Sequence, residues 1–125
     1  MSLNKLIKSF TNKSIGDFKT LLYDLGTIND TIIVAGMGRS GTTWGVNIIN
    51  HDNSYRVLFE PFFPASVVEA EEFEYVQYIS RYCSDEIYLK GARNIISGKL
   101  RNDWIDQGNH KLFYKRRILK DIRCN

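Results

Sequence analysis

At 125 residues the chain has room for one domain, and a domain of that size buries about two-thirds of the surface its unfolded chain exposes. Its 43% hydrophobic and 25% charged residues are ordinary for a globular protein, and a formal net charge of +3 is too small to signal nucleic-acid binding by itself. Two cysteines, Cys83 and Cys124, stand far apart with no C-x-x-C and no His/Cys cluster, which argues against a disulfide framework and against a metal site.

Residues 2 to 25 read as one or two amphipathic helices. Leu3, Leu6, Ile7 and Phe10 form one apolar stripe, and Phe18, Leu21, Leu22 and Leu25 form another. Ser14 is placed to cap the second, with Asp17 in its first turn. Lys5, Lys8 and Lys13 interrupt any signal-peptide core, and no apolar run reaches membrane-spanning length, so a cytoplasmic protein is expected. The division expected is a helical extension over 1–30 and a domain over 31–125.

Gly26 to Asp30 reads as a turn. Thr31 to Ala35 is a β-branched apolar run, the pattern of a strand buried on both faces. It stops at a glycine-rich loop, and a helically spaced run follows from Trp44 to about Asn50. His51-Asp-Asn-Ser is a polar turn. Arg56 to Phe59 reads as a second strand, stopped by Pro61 and Pro64. Residues 66–82 and 85–100 are expected to be helical, the latter capped by Ser84 with Asp85 and Glu86 in its first turn. Gly108 to Lys111 is a turn, and Arg117 to Ile122 is a third strand. Strands alternating with helices predict a parallel α/β sheet.

The loop carries the chemistry. A strand, a glycine loop and a helix N-terminus aim backbone N–H groups at one point, which is an anion site. Arg39 adds a fixed charge, and Ser40, Thr42 and Thr43 add hydroxyl donors. Gly36-x4-Gly41 has the spacing of a P-loop, but Thr42 stands where the phosphate-binding Lys is required. ATP or GTP hydrolysis is therefore disfavoured. Gly36-x-Gly38-x-x-Gly41 also matches the dinucleotide fingerprint, and Glu60 lies close to where its acidic ribose ligand is expected.

Residue identity separates the two. Arg39-Ser40-Gly41-Thr42-Thr43-Trp44 resembles the 5′-phosphosulfate loop of sulfotransferases, [Lys/Arg]-Ser-Gly-[Thr/Ser]-[Thr/Ser]-[Trp/Phe], a P-loop-like fold without the Walker lysine. Phe59-Glu60-Pro61 is similar to the Phe-Glu-Pro segment of carbohydrate-type members. Arg117-Ile-Leu-Lys120 is similar to the Arg-x-x-Lys strand that precedes their 3′-phosphate site. The resemblance spans residues 31 to 123. It implies a three-layer P-loop-like α/β fold, a parallel sheet flanked by helices. It also implies a PAPS-dependent enzyme (3′-phosphoadenosine 5′-phosphosulfate as donor, no metal) that transfers a sulfuryl group to an alcohol, with a carbohydrate among the candidate acceptors.

By that resemblance Gly38, Arg39, Ser40, Gly41, Thr42, Thr43 and Trp44 hold the donor. Lys120 contacts the phosphosulfate bridge and leaving group, and Glu60 is the general base. Against those roles stand a lysine snorkelling at a sheet edge, and a strand-end carboxylate facing water or paired with Arg56. Ile122 occupies the place of the His that cytosolic members use as base, which adds weight to Glu60. Arg123 is a weaker companion of Lys120. Phe62, Phe63 and Trp44 are candidates for acceptor-pocket walls or for plain core. The 3′-phosphate residues of the family have no counterpart in these 125 residues. The expectation is therefore the N-terminal half of such a domain: a fragment that needs a partner chain to complete its sheet, a truncated gene product, or a natural minimal variant. An NAD(P)-binding domain and a non-catalytic assembly module are the alternative readings.

Overall fold

The computed structural model describes residues 22–74 and 77–123. In chain order they form strand β1 (Tyr23–Asp24), a 3-10 turn (Ile28–Asp30), strand β2 (Thr31–Ala35) and helix α1 (Thr42–Ile49). Strand β3 (Tyr55–Phe59), a 3-10 turn (Val68–Ala70), helix α2 (Glu86–Ile96) and strands β4 (Phe113–Tyr114) and β5 (Arg116–Asp121) follow. The main sheet is parallel throughout, in the order β2-β5-β3. A small parallel pair joins β1 to β4.

Strand β5 lies between the other two, so its backbone is paired on both sides. Arg117 to Asp121 are all buried. Alternation sends Leu119 to one face and Ile118 and Lys120 to the other. Leu119 pairs in register with Leu58, and both join Val67, Ala70, Ile95 and Ile105 in one core. Helix α2 thus covers this face through Ile95. Helix α1 packs against β2 and β5, and its Val46 lies near Val57, Phe59 and Lys120 of the opposite face. The α/β expectation of a parallel sheet with flanking helices is observed. No helix among the described residues is long and apolar enough to cross a membrane.

Several local expectations are corrected. Strand β2 is not buried on both faces: Ile32 is 36% and Ile33 57% exposed. Its apolar run lies at an edge, with β5 on one side and no strand on the other among the described residues. Strand β2 has the expected bounds, whereas β3 and β5 begin a residue earlier than expected, because Tyr55 and Arg116 pair in register, and β5 ends at Asp121 rather than Ile122.

Residues 66–82 hold no α-helix among those described, only the turn at Val68–Ala70. Val67, Ala70 and Phe73 still point inward at three-residue spacing, but they do so from successive tight turns. The crowded carboxylates of Glu69, Glu71, Glu72 and Glu74 disfavour a continuous helix through like-charge repulsion. Helix α2 runs shorter than expected. Its N-cap is Asp85, not Ser84, with the carboxylate accepting from the Ile87 N–H at 3.0 Å. It ends at Ser97, where Gly98 turns to φ +73°.

The helices expected over 2–21 lie outside the described residues. Residues 22–25 do not continue one: the Tyr23 and Leu25 amides donate to the Leu112 and Tyr114 carbonyls as a parallel strand pair. Leu22 is buried and Leu25 is exposed, so the stripe they were expected to share is not present.

Candidate anion-binding cleft

The glycine loop connects β2 to α1 and is held by its own short contacts. The Ser40 hydroxyl donates to the Met37 carbonyl at 2.6 Å, and the Ser40 amide reaches the same carbonyl at 3.2 Å. A side chain at position 36 would place its Cβ 2.7 Å from Ser40 Oγ and 2.9 Å from Thr42 Cγ2, so the turn requires glycine there. Arg39 adopts φ +66° and Gly41 φ +84°. Helix α1 starts at Gly41 without a side-chain cap. Its first-turn N–H groups are left for a ligand or water.

A cleft of about 450 Å³ opens in front of this loop. Gly38, Arg39, Gly41, Thr42, Thr43 and Trp44 line one side; Phe59, Glu60, Lys120 and Ile122 line the other. The three segments singled out in the sequence therefore meet at the carboxyl ends of the strands, where ligands bind in open α/β sheets. Ser40 is placed differently: its hydroxyl is spent on Met37, and it does not line the cleft. Trp44 stands 72% exposed at the cleft mouth. Phe62 packs edge-to-face on Phe73 at the core, and Phe63 lies against Trp104.

Glu60 terminates β3 in a conformation unusual for a residue with a Cβ, φ +42°. Its amide donates to the Lys120 carbonyl at 2.7 Å, and its carbonyl accepts from the Trp104 indole at 3.2 Å. Its carboxylate accepts from Lys120 Nζ at 2.7 Å and from Arg123 Nη1 at 3.2 Å. Glu60 therefore neither faces water nor pairs with Arg56. Burial raises the Glu60 pKa, but the hydrogen bonds and charges of Lys120 and then Arg123 outweigh it, and the net shift is downward. Each cation also rests on an aromatic face, Lys120 on Phe59 at 4.5 Å and Arg123 on Phe63 at 4.4 Å.

Sequence reasoning missed Asp121, which ties the backbone after Glu60 to the backbone after β5. It is fully buried and accepts from the Phe62 amide at 2.9 Å and the Arg123 amide at 2.7 Å. Burial pushes its pKa up against the pull of those amides and of Arg123. The signal was a carboxylate directly after Lys120 at the end of the strand, where Arg116, Arg117, Lys120 and Asp121 are all charged. A smaller cavity of about 320 Å³ adjoins the cleft and shares Thr43, Phe59 and Lys120 with it. His51 borders that cavity from the exposed end of α1, and His110 is exposed.

A second buried polar cluster lies at the amino ends of the strands, and sequence reasoning missed it as well. Arg56 is clamped by both carboxylate oxygens of Asp106, at 2.8 and 3.0 Å, and by Asp24 at 2.9 Å. Arg117 also reaches Asp24. These groups serve the fold rather than the cleft. Comparison of the chain with protein-family models, with curated proteins and with solved structures finds no match.

Proposed function

We propose that the cleft binds the phosphosulfate end of a nucleotide sulfuryl donor, and that the chain is a sulfotransferase-like domain acting on an alcohol acceptor. The observation that carries this reading is the meeting of the uncapped glycine loop with Lys120 and Glu60 in one cleft. The loop lacks the Walker lysine, and Lys120 presents an ammonium to the same cleft from β5 instead.

The strand order supports the reading against a dinucleotide carrier. A dinucleotide fold places its second strand beside the glycine-loop strand. Here β5 occupies that place and β3 lies one position further out. Glu60, at the end of β3, is held by two cations rather than standing open for a ribose.

On this reading the acceptor hydroxyl attacks sulfur, the bond from sulfur to the 5′-phosphate oxygen breaks, and the bisphosphate leaves with the bonding pair. Arg39, Lys120 and the α1 amides offset the charge that builds on the leaving oxygens. The hydroxyl proton passes to Glu60. The test is thermal shift with 3′,5′-bisphosphoadenosine, ATP and NADPH in the absence of Mg²⁺. Selective stabilisation by the bisphosphate is expected; preference for NADPH overturns the reading.

The edge of β2, which no strand covers among the described residues, with Ile32 and Ile33 exposed beside it, favours a second reading, a binding module whose sheet is completed by another chain. Sedimentation at rising concentration, with and without bisphosphate, separates the two.

A further inference from the structure

The proposed anion site contains an anion of its own. Lys120 Nζ lines the cleft opposite the loop, yet its charge is already taken by Glu60 at 2.7 Å. Arg123 is held by the same carboxylate at 3.2 Å. We propose that Glu60 is a built-in competitor, which occupies the cations of the cleft until a multiply charged anion on the loop draws them away. The inference rests on the proposed anion-binding reading of the loop and goes beyond it. It assigns Glu60 a specificity role, favouring ligands of two or more negative charges over single ones.

Geometry supports this in three ways. Glu60 and the loop face each other across one cleft, so Lys120 has two alternative partners within it. The Glu60 backbone is held at φ +42° by the Lys120 carbonyl and the Trp104 indole, so its carboxylate stays in place while the longer lysine side chain moves. The carboxylate is also buried, and a ligand that removes its cations must offset the cost of leaving it unpaired. A single charge offers less in exchange than a phosphate or sulfate dianion does.

The charged groups around Glu60 are Lys120 and Asp121 on β5, Arg123 just beyond it, and Arg39 on the loop. In the free protein Lys120 and Arg123 favour the ionised form of Glu60. With an anion in the cleft those cations are shared and the new charge is repulsive, so Glu60 binds a proton more readily. Anion binding is then coupled to proton uptake, and affinity rises as pH falls toward the carboxylate range. The same transfer prepares Glu60 as a proton acceptor once the ligand is present.

The experiment titrates wild type and Glu60→Gln with inorganic sulfate at constant ionic strength, from pH 4.5 to 8, where sulfate keeps its charge. Isothermal calorimetry is the readout, and methylsulfate is the singly charged control. Sulfate is expected to bind Glu60→Gln about tenfold more tightly at pH 7, a size usual for coupled sites. The pH slope of the wild type should flatten in the variant, and its preference for sulfate over methylsulfate should shrink. The Asp121 carboxyl also feels the Glu60 charge, so the comparison is repeated in an Asp121→Asn background, where the same flattening is expected. If the amide variant does not fold, Glu60→Gly, which takes the positive φ without strain, makes the same test. Equal or weaker sulfate binding by the variant, or an unchanged pH slope, overturns the competitor role while leaving the loop assignment standing. Failure of wild type and variant to bind either sulfate or 3′,5′-bisphosphoadenosine overturns the anion site itself, and this inference with it.

Discussion

Arg56 and Arg117 stand opposite each other in register on β3 and β5, and both reach the same oxygen of Asp24, at 2.9 and 3.1 Å. Two buried guanidiniums side by side repel unless a shared carboxylate lies between them. Asp24 supplies it from β1, and so ties the first described strand to the base of the main sheet. Asp106 neutralises Arg56 further, while Arg117 adds the Thr31 hydroxyl and the Ser97 carbonyl.

Replacing Asp24 by Ala should therefore destabilise the fold by about 3–5 kcal/mol, because it leaves a buried charge short of its partner. Urea denaturation measures this. A loss under about 1 kcal/mol, the usual worth of an exposed pair, would show the cluster to be solvated.

Gly36→Ala should abolish the thermal shift given by bisphosphoadenosine. The new methyl lands against the Ser40 hydroxyl and the Thr42 side chain, both part of the loop. Overpacking of this kind costs about 1–3 kcal/mol, so the apo protein should remain folded by circular dichroism at 15 °C. Retained ligand binding would mean that the loop opens without loss of function.

Arg39→Ala should leave stability within about 0.5 kcal/mol of wild type, since the residue is exposed and its contacts lie with solvent or ligand. Bisphosphate affinity should fall by at least about tenfold, the scale of a charge-assisted hydrogen bond. Unchanged affinity would remove Arg39 from the site.

Glu60→Gln should eliminate sulfuryl transfer measured with labelled donor, while donor binding persists or tightens. Its stability effect should depend on pH. The Glu60 carboxyl is held below its ordinary 4.5, so its contribution is complete above that value and is lost as pH falls through the lower folded-state pKa. The stability gap between wild type and variant should accordingly close in acid. A gap that stays constant from pH 7 to 3 would show that the ion pairs do not stabilise the fold.

Ile33→Lys should preserve the fold, because the side chain at this edge position is 57% exposed. It should lower any concentration-dependent self-association seen by light scattering, as charged residues do on open strand edges. Equal association in both proteins would place the contact elsewhere.

The glycine loop and its flanking strand and helix were legible because their causes are local. A β-branched run, a glycine that admits no Cβ, and helical spacing after it act over a few residues. The helix expected across 66–82 misled for the same reason in reverse. Its apolar spacing was real, but Val67 and Ala70 reach the core from turns set by contacts with α2, where Gly91 lies against the Glu69 carbonyl.

From its amino acids alone, the chain could be read as a parallel α/β protein with a phosphate-type loop and with Glu60 and Lys120 at strand ends. The tertiary structure decided which charges meet. Glu60 and Lys120 are 60 residues apart, and Arg56 and Asp24 are 32 apart. Their pairing follows from β5 inserting between β2 and β3. That insertion pairs β5 on both sides and leaves β2 at an edge among the described residues. It is a choice of strand order made by the whole sheet, and no local pattern encodes it.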